Sequence, residues 1–116
     1  MKYETKRLEP GIVVLVISGR FLMGQDCRDV DREIERHIAE NNKSFVFDLS
    51  AVDHIDSGAV GQIVKSLTRL KNSGGALRLA GVHGMVEGVL KMTRLDRVIE
   101  MFPTPAEAAQ NFPQPR

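Results

Sequence analysis

The apolar residues of this chain follow two kinds of pattern that alternate from the N-terminus to the C-terminus. Residues 12–19 form a continuous run rich in Val and Ile, which is typical of a central strand covered on both faces. Other stretches place apolar residues three and four positions apart, which indicates helices with one buried face. The expected strands are residues 3–8, 12–19, 44–48, 76–81 and 98–102, and the expected helices are residues 26–40, 57–72, 85–92 and 105–111.

Polar and small residues mark where these elements begin and end. Ser57 stands just before the apolar stripe of the second helix, so we expect its hydroxyl to cap that helix, and Asp26 is expected to cap the first. Pro10 and Gly11 predict a turn between the first two strands.

The second helix carries two faces of different character. Its buried stripe is expected to contain Val60, Ile63, Val64, Leu67 and Leu70. Its polar outer face is expected to contain Gln62, Lys65, Ser66 and Arg69.

The order of elements predicts an α/β fold. After an N-terminal hairpin, strands and helices alternate, which implies mostly parallel strands joined by right-handed crossovers. We therefore expect one domain over residues 1–111, with a central mixed sheet of about five strands and about four helices. Residues 112–116, which contain two prolines, are expected to fray.

Parallel strands place the loops that follow them at one edge of the sheet. The loops containing Met23 and Gly24, Asp56 to Gly58, and His83 and Gly84 are therefore expected to lie together. Such a shared edge is where open α/β folds usually place their sites.

Composition narrows the function classes. The 116 residues include 16 Lys or Arg and 15 Asp or Glu, so no overall charge favours nucleic acid. No apolar run is long enough to span a bilayer, and the N-terminus lacks an apolar signal region, so we expect a cytoplasmic protein. The single cysteine, Cys27, is expected to be a core-facing or half-buried thiol.

Other chemistries fit the sequence less well. The three histidines and Cys27 do not have the spacing of metal ligands, so no metal site is expected. Residues 81–84 match the GXXG loop of an RNA-binding KH module, but they follow a strand instead of joining two helices. Asp56, Ser57 and His83 could form a hydrolase triad, although Ser57 lacks the Gly-x-Ser-x-Gly context.

Three segments together resemble a known family. The run Asp48-Leu49-Ser50 followed by residues 55–61 is similar to the signature of STAS domains, the anti-sigma factor antagonist family. In that family a strand ends in a similar Asp-Leu-Ser, and a loop leads to Asp-Ser-(Ser/Thr)-Gly-Leu-Gly at the start of a helix. Ser57 matches the serine that a partner kinase phosphorylates in that family, whereas Gly58 stands in place of the second hydroxyl residue. Residues 85–99 resemble the later helix, its Thr-Gly-Leu turn and the final strand, with Arg94 in the glycine position, and residues 104–109 resemble the closing helix.

The resemblance implies a regulator without catalytic activity or a cofactor of its own. Its expected partners are an anti-sigma factor, itself a serine kinase that carries the ATP and magnesium, and a serine phosphatase that resets Ser57. The protein itself is expected to be a monomer or weak dimer. The expected partner-binding residues are Met23, Gly24, Asp56, Gly58, Ala59, Gln62, His83 and Gly84. The alternative is a STAS scaffold subunit of a membrane lipid-transport ABC complex, in which Ser57 need not be modified.

Overall fold

The computed structural model describes residues 1–8 and 11–112. It contains the elements β1 (Lys2–Leu8), β2 (Ile12–Phe21), α1 (Gln25–Ala39), β3 (Ser44–Ile55), α2 (Ser57–Asn72), β4 (Ala76–Ala80), α3 (Gly84–Met92), a 3-10 turn (Leu95–Arg97), β5 (Met101–Phe102) and α4 (Pro105–Ala108). The strands form one sheet in the order β1-β2-β3-β4-β5, in which β1 is antiparallel to β2 and the other pairs are parallel. The predicted mixed sheet of five strands with four helices is confirmed.

The sequential strand order determines how the two faces of the sheet are covered. Right-handed crossovers between neighbouring parallel strands carry α1, α2 and α3 to the same face. Alternate residues of the strands point into that layer and build the main core, in which Leu15, Phe47 and Leu79 are fully buried. The opposite face is covered by α4 and Phe112, which pack against Ile12, Val14, Val46 and Ala80.

The central strand pair is longer than the sequence pattern indicated. β2 continues to Phe21 and β3 to Ile55, whereas β3 was expected to end at Asp48. Polar residues in the second half of the pair, such as Arg20, Ser50 and Asp53, are exposed, and register shifts between Val16 and Ser18 and between Gly19 and Arg20 interrupt the simple alternation there. Because β4 ends at Ala80, opposite Asp48, the β2–β3 pair extends beyond the rest of the sheet and carries its terminal loops with it.

The segment after α3 differs from the expected strand over residues 98–102. Residues Leu95–Arg97 form a 3-10 turn, and the Ile99 amide donates to the Leu95 carbonyl at 2.9 Å, which continues the helical geometry. Leu95 and Ile99 are thereby both buried while Val98 is exposed, so packing of these two side chains outweighs the β propensity of the segment. Arg94, in the predicted glycine position, has a left-handed φ of 61°.

The C-terminal segment is held by a residue that the sequence pattern did not single out. Arg78, on β4, lies between the rings of Phe102 and Phe112 and donates to the carbonyls of Ala108, Gln110 and Asn111 at 2.8 to 3.3 Å. Phe112 is therefore buried, contrary to the expectation that fraying begins there. The remaining expected frayed residues, 113–116, lie outside the described residues, as does Pro10 of the predicted turn.

Candidate functional site

Ser57 is the first residue of α2 and is exposed. The predicted cap is wrong by one position, because the N-cap residue is Asp56, whose Oδ1 accepts the Ala59 amide at 2.9 Å. Asp and Ser cap helices about equally well, so the pair Asp56-Ser57 does not show by itself which residue is the N-cap. The backbone conformation decides between them. Within the described residues the Ser57 hydroxyl has no hydrogen-bond partner, and it is free for chemistry or recognition.

Asp56 also anchors the loop between β2 and α1. Its two carboxylate oxygens accept the Met23 amide at 3.0 and 3.1 Å. The Met23 bond, followed by the Ala59 bond, holds the pKa of the Asp56 carboxyl below its usual range, since both stabilise the charged form. A single carboxylate thus joins the loop containing Met23 to the beginning of α2.

Met23 lies directly against Gly58. A Cβ added to Gly58 would overlap the Cβ of Met23, so residue 58 must be glycine while the loop keeps this position. The Met23 side chain is nonetheless 61% exposed, which makes it the most exposed apolar residue beside Ser57. The geometry gives a physical reason for glycine where the resembling sequences carry Ser or Thr.

Two expected binding residues are buried instead of exposed. Ala59 is 0% exposed and belongs to the main core, and Gln62 is 6% exposed. Gln62 donates from Nε2 to Asp31 of α1 at 2.7 Å and to Ser66 Oγ at 3.2 Å. The predicted outer face for Gln62 and Ser66 is wrong because α1 packs over it.

The contact between α1 and α2 is partly ionic. Lys65 pairs with Asp31 at 2.7 Å, and Arg69 pairs with Glu35 at 3.2 Å. Partial burial acts to raise the pKa of Asp31, but the hydrogen bonds from Lys65 and Gln62 outweigh it and lower that pKa. On the other flank of α2, Val64 is 39% exposed, whereas the predicted buried residues Ile63, Leu67 and Leu70 are confirmed.

His83 and Gly84 do not join the cluster around Ser57. His83 Nε2 lies 2.9 Å from the Ser50 carbonyl oxygen, at the point where β4 has already ended. Roughly 16 Å of extended backbone separates Ser50 from Ile55, at about 3.3 Å per residue. The expected single edge is therefore divided, with Met23, Gly24, Asp56, Ser57 and Gly58 in one group and His83 and Gly84 in another.

This division separates Ser57 from His83, the histidine of the possible triad. Within the described residues no hydrogen bond joins Ser57 to His83. The Asp56 carboxylate is already occupied by two backbone amides. In the part of the chain that the structure describes, Asp56, Ser57 and His83 thus do not form the hydrogen-bonded chain of a Ser/His/Asp hydrolase.

Cys27 and Gly24 complete the surroundings of the site. Cys27 is half-buried, as predicted, with Sγ 3.6 Å from the Gly58 carbonyl oxygen; burial and then the charges of Asp56 and Asp26 raise its thiol pKa. The expected cap of α1 at Asp26 is wrong: Gly24 is the N-cap residue, and Asp26 instead accepts the Leu22 amide at 2.9 Å.

Neither a metal cluster nor a membrane-spanning helix is found in the part of the chain that the structure describes. No group of three or more His, Cys, Asp or Glu residues there could hold a metal ion. None of the described helices is both long and apolar enough to cross a bilayer.

Sequence reasoning missed the double role of Asp56 and the contact between Met23 and Gly58. The capping role of Asp56 was indicated by the sequence, since an Asp three residues before Ala59 caps a helix as well as Ser does. The second depends on where β2 ends relative to α2, and the local sequence holds no signal for that distance.

Known proteins resemble this chain over nearly its whole length. A sequence model of the STAS domain matches residues 4–108. A Thermotoga maritima protein provisionally named an anti-sigma factor antagonist is 41% identical over 69 residues, which cover 60% of this chain and 60% of that protein. A Thermotoga neapolitana relative is 39% identical over 62 residues, or 53% of this chain and 55% of its own length. The chain thus matches somewhat more than half the length of these relatives.

Solved structures show the same architecture. The crystal structure of a Thermotoga maritima protein with the same provisional name has a TM-score of 0.85 and 25% identity, over 95% of this chain and 93% of that one. The Bacillus cell fate determinant SpoIIAA in its phosphorylated form has a TM-score of 0.74 and 17% identity, over 92% and 96% of the two chains, and shows the fold alone. The match over residues 4–108, together with the mixed sheet and the helix that begins at Ser57, leads to one conclusion: the chain belongs to the STAS domain family.

Proposed function

We propose that this protein is an anti-sigma factor antagonist that is switched by phosphorylation of Ser57. The unmodified protein binds an anti-sigma factor, itself a serine kinase, and so releases a sigma factor. Phosphorylation of Ser57 by that kinase ends the binding, and a serine phosphatase restores it. The name of the Thermotoga relative and the solved phosphorylated form of SpoIIAA support this assignment.

The observation that carries the proposal is the exposed Ser57 hydroxyl at the beginning of α2. Asp56 performs the capping, so the serine is not needed for it. A phosphate on Ser57 would lie beside the positive end of a 16-residue helix, which stabilises an anion there. Ser66 is fully buried and the Ser50 hydroxyl donates to Asp48 at 2.7 Å, so Ser57 is the best placed of the three.

The charge added by the phosphate explains the loss of binding. Phosphorylation adds about −1.5 to −2 charges next to the Asp56 carboxylate. A partner surface that packs against the site must then remove water from the phosphate, which costs free energy. An acidic partner surface is in addition repelled by its charge. A loss of about 3 kcal/mol weakens binding roughly a hundredfold, which is sufficient for a switch.

The kinase reaction tests the site of modification. The cognate anti-sigma factor with ATP should add one phosphate to the wild-type protein and none to Ser57→Ala, as measured by intact mass. Ser50→Ala is the matched control and should be phosphorylated like the wild type. Phosphate on Ser50 or Ser66 would contradict the assignment, and so would stable association with a transporter ATPase without any modification of Ser57.

Calorimetry with the same anti-sigma factor tests the contact surface. Ser57→Asp should bind more weakly than Ser57→Ala, because it carries part of the phosphate charge. Met23→Glu should also weaken binding, whereas Met92→Glu is the control, since Met92 is 82% exposed at the far end of α3. Gly24 and Gly84 are poorer test positions, because their left-handed φ values of 92° and 58° would strain any replacement. Equal affinities of the Met23 and Met92 variants would exclude Met23 from the interface.

A further inference from the structure

The outer edge of β1 is free to pair with another strand. β1 is the terminal strand of the sheet, and within the described residues it pairs with β2 alone. Six of its seven residues are exposed and Thr5 is half-buried. Such an edge presents a row of backbone N–H and C=O groups that can bind a further strand.

The sequence of β1 is complementary to itself when two copies run antiparallel around Thr5. In this register Glu4 of each copy lies opposite Lys6 of the other, so that two opposite-charge pairs form. Tyr3 lies opposite Arg7, which suits a cation-π contact, and the stem of Lys2 lies opposite the exposed Leu8.

The two faces of β1 separate these contacts. Side chains alternate along a strand, so Tyr3, Thr5 and Arg7 share the face of α1, where Arg7 bonds Glu40 at 2.9 Å. Glu4 and Lys6 lie on the other face, 3.9 Å apart within one strand. Each Glu4 of a pair of copies would thus lie near two lysines.

The neighbouring antiparallel registers are disfavoured by charge. Pairing around Glu4 places Glu4 opposite Glu4 and Lys2 opposite Lys6, and pairing around Lys6 places Lys6 opposite Lys6. Parallel pairing in register places every charge opposite its own kind. Of the registers that pair most of the strand, the charges therefore favour the one centred on Thr5.

From this complementarity we propose that the β1 edge is a homodimer interface that joins the five-stranded sheets of two copies of this chain. One strand pair buries less surface than a standard protein interface, so the dimer is weak and depends on concentration and salt. The inference does not rest on the proposed regulatory function, because β2 separates β1 from the strand that leads to Ser57.

Charge reversal tests the interface by sedimentation velocity at protein concentrations up to about 1 mM. The wild type should show a monomer–dimer equilibrium that weakens as salt rises. Glu4→Lys and Lys6→Glu should each weaken it about tenfold or more, because both pairs then become like-charge contacts. The two single variants mixed together should form a heterodimer, and the double variant Glu4→Lys/Lys6→Glu should dimerise like the wild type.

The controls distinguish this interface from other surfaces. All β1 variants should keep the wild-type circular dichroism and melting temperature, since Glu4 and Lys6 are exposed. Val98→Glu, at an exposed apolar position away from β1, should dimerise normally. A wild type that stays monomeric at the highest concentration would overturn the proposal. A dimer whose stability does not depend on the charges at residues 4 and 6 would also overturn it, and so would a dimer that is lost in Val98→Glu.

Discussion

Asp56 shows, at the scale of a single residue, how one carboxylate connects two segments that are far apart in the sequence. It accepts the amide of Ala59 within α2 and the amide of Met23 from the loop before α1. Both bonds stabilise the charged form more than the neutral one, which is why the pKa of Asp56 is lowered. The same residue therefore stabilises the fold and fixes the surroundings of Ser57.

Replacing Asp56 by Ala should lower the free energy of unfolding by about 1–2 kcal/mol, through loss of the cap and of the Met23 anchor. Asp56→Asn should recover most of this loss, because Asn also caps helices. Asp53→Ala, at an exposed position, is the control and should change stability by about 0.5 kcal/mol or less. Urea denaturation at neutral pH measures all three, and equal stability of Asp56→Ala and Asp53→Ala would contradict the role of the cap.

His37 is a buried residue whose charge state should affect stability. It is 1% exposed, its Nδ1 has no hydrogen-bond partner among the described residues, and its ring meets Phe45 edge-on at 5.8 Å. Burial and then the Arg36 charge lower the pKa of His37, with Arg7 acting in the same direction, whereas Glu33 and Glu40 oppose the shift. The folded protein therefore favours neutral His37.

Because the pKa of His37 is lower in the folded state, protonation favours the unfolded state. This contribution to stability is present above about pH 6.5 and is lost as pH falls below that value. Denaturation midpoints measured at about pH 7.5 and about pH 5 should show that stability falls less between these pH values in His37→Phe than in the wild type. His83→Asn, which replaces an exposed histidine, should keep the wild-type loss. An unchanged loss in His37→Phe would assign the effect to other groups.

At the scale of elements, the packing of α1 on α2 decides which face of α2 is available. The helical spacing correctly indicated that Ile63 and Leu67 belong to the core. It did not indicate that α1 covers the adjacent polar flank, where Gln62 joins Asp31 to Ser66. The exposed part of α2 consequently includes Ser57 at its beginning and the flank that contains Gly61, Val64 and Thr68.

Removing the Gln62 bridge should therefore cost more than removing an exposed ion pair. Gln62→Ala should lower the free energy of unfolding by about 1–3 kcal/mol, since the buried Ser66 and the partly buried Asp31 each lose a hydrogen bond. Lys65→Ala, which breaks the exposed pair with the same Asp31, should cost about 0.2–1 kcal/mol. Thermal or urea denaturation compares the two variants. A smaller loss for Gln62→Ala would mean that Gln62 faces solvent.

At the scale of the whole molecule, Arg78 holds the C-terminal segment on the sheet face that α1, α2 and α3 leave open. Its guanidinium donates to three carbonyls of this segment and lies 4.4 Å from the Phe112 ring centroid. Glu100 pairs with it at 3.4 Å, so the buried charge is compensated. One residue of β4 thus fastens α4 and Phe112 to the second core.

Arg78→Met should release this segment without unfolding the main core. We expect a stability loss of about 1–3 kcal/mol and faster amide hydrogen exchange in residues 104–112 than in α2. Arg78→Lys should be intermediate, because an ammonium group keeps the charge but cannot reach several carbonyls in one plane. Arg97→Met, at an exposed position, is the control. Uniformly faster exchange in α2 and the C-terminal segment would show that Arg78 supports the whole fold instead.

The local sequence by itself determined the element types, their order and the motif at Ser57. These follow from apolar spacing, turn residues and caps, which act over a few neighbouring positions. The alternation of strands and helices then predicted parallel strands, and the right-handed crossover rule limited how they connect. The resemblance to STAS domains placed Arg94 in a glycine position, and Arg94 has the left-handed φ of 61° that glycine adopts readily.

The tertiary structure alone decided how far β3 extends, which flank of α2 is covered and which loops meet at Ser57. The end of β3 depends on pairing with β2, and the burial of Gln62 depends on α1, which lies 31 positions earlier at Asp31. Contacts of this kind join residues that are distant along the chain, so no local pattern encodes them. The separation of His83 from Ser57 follows from the same cause, since β4 ends at Ala80 while β3 continues to Ile55.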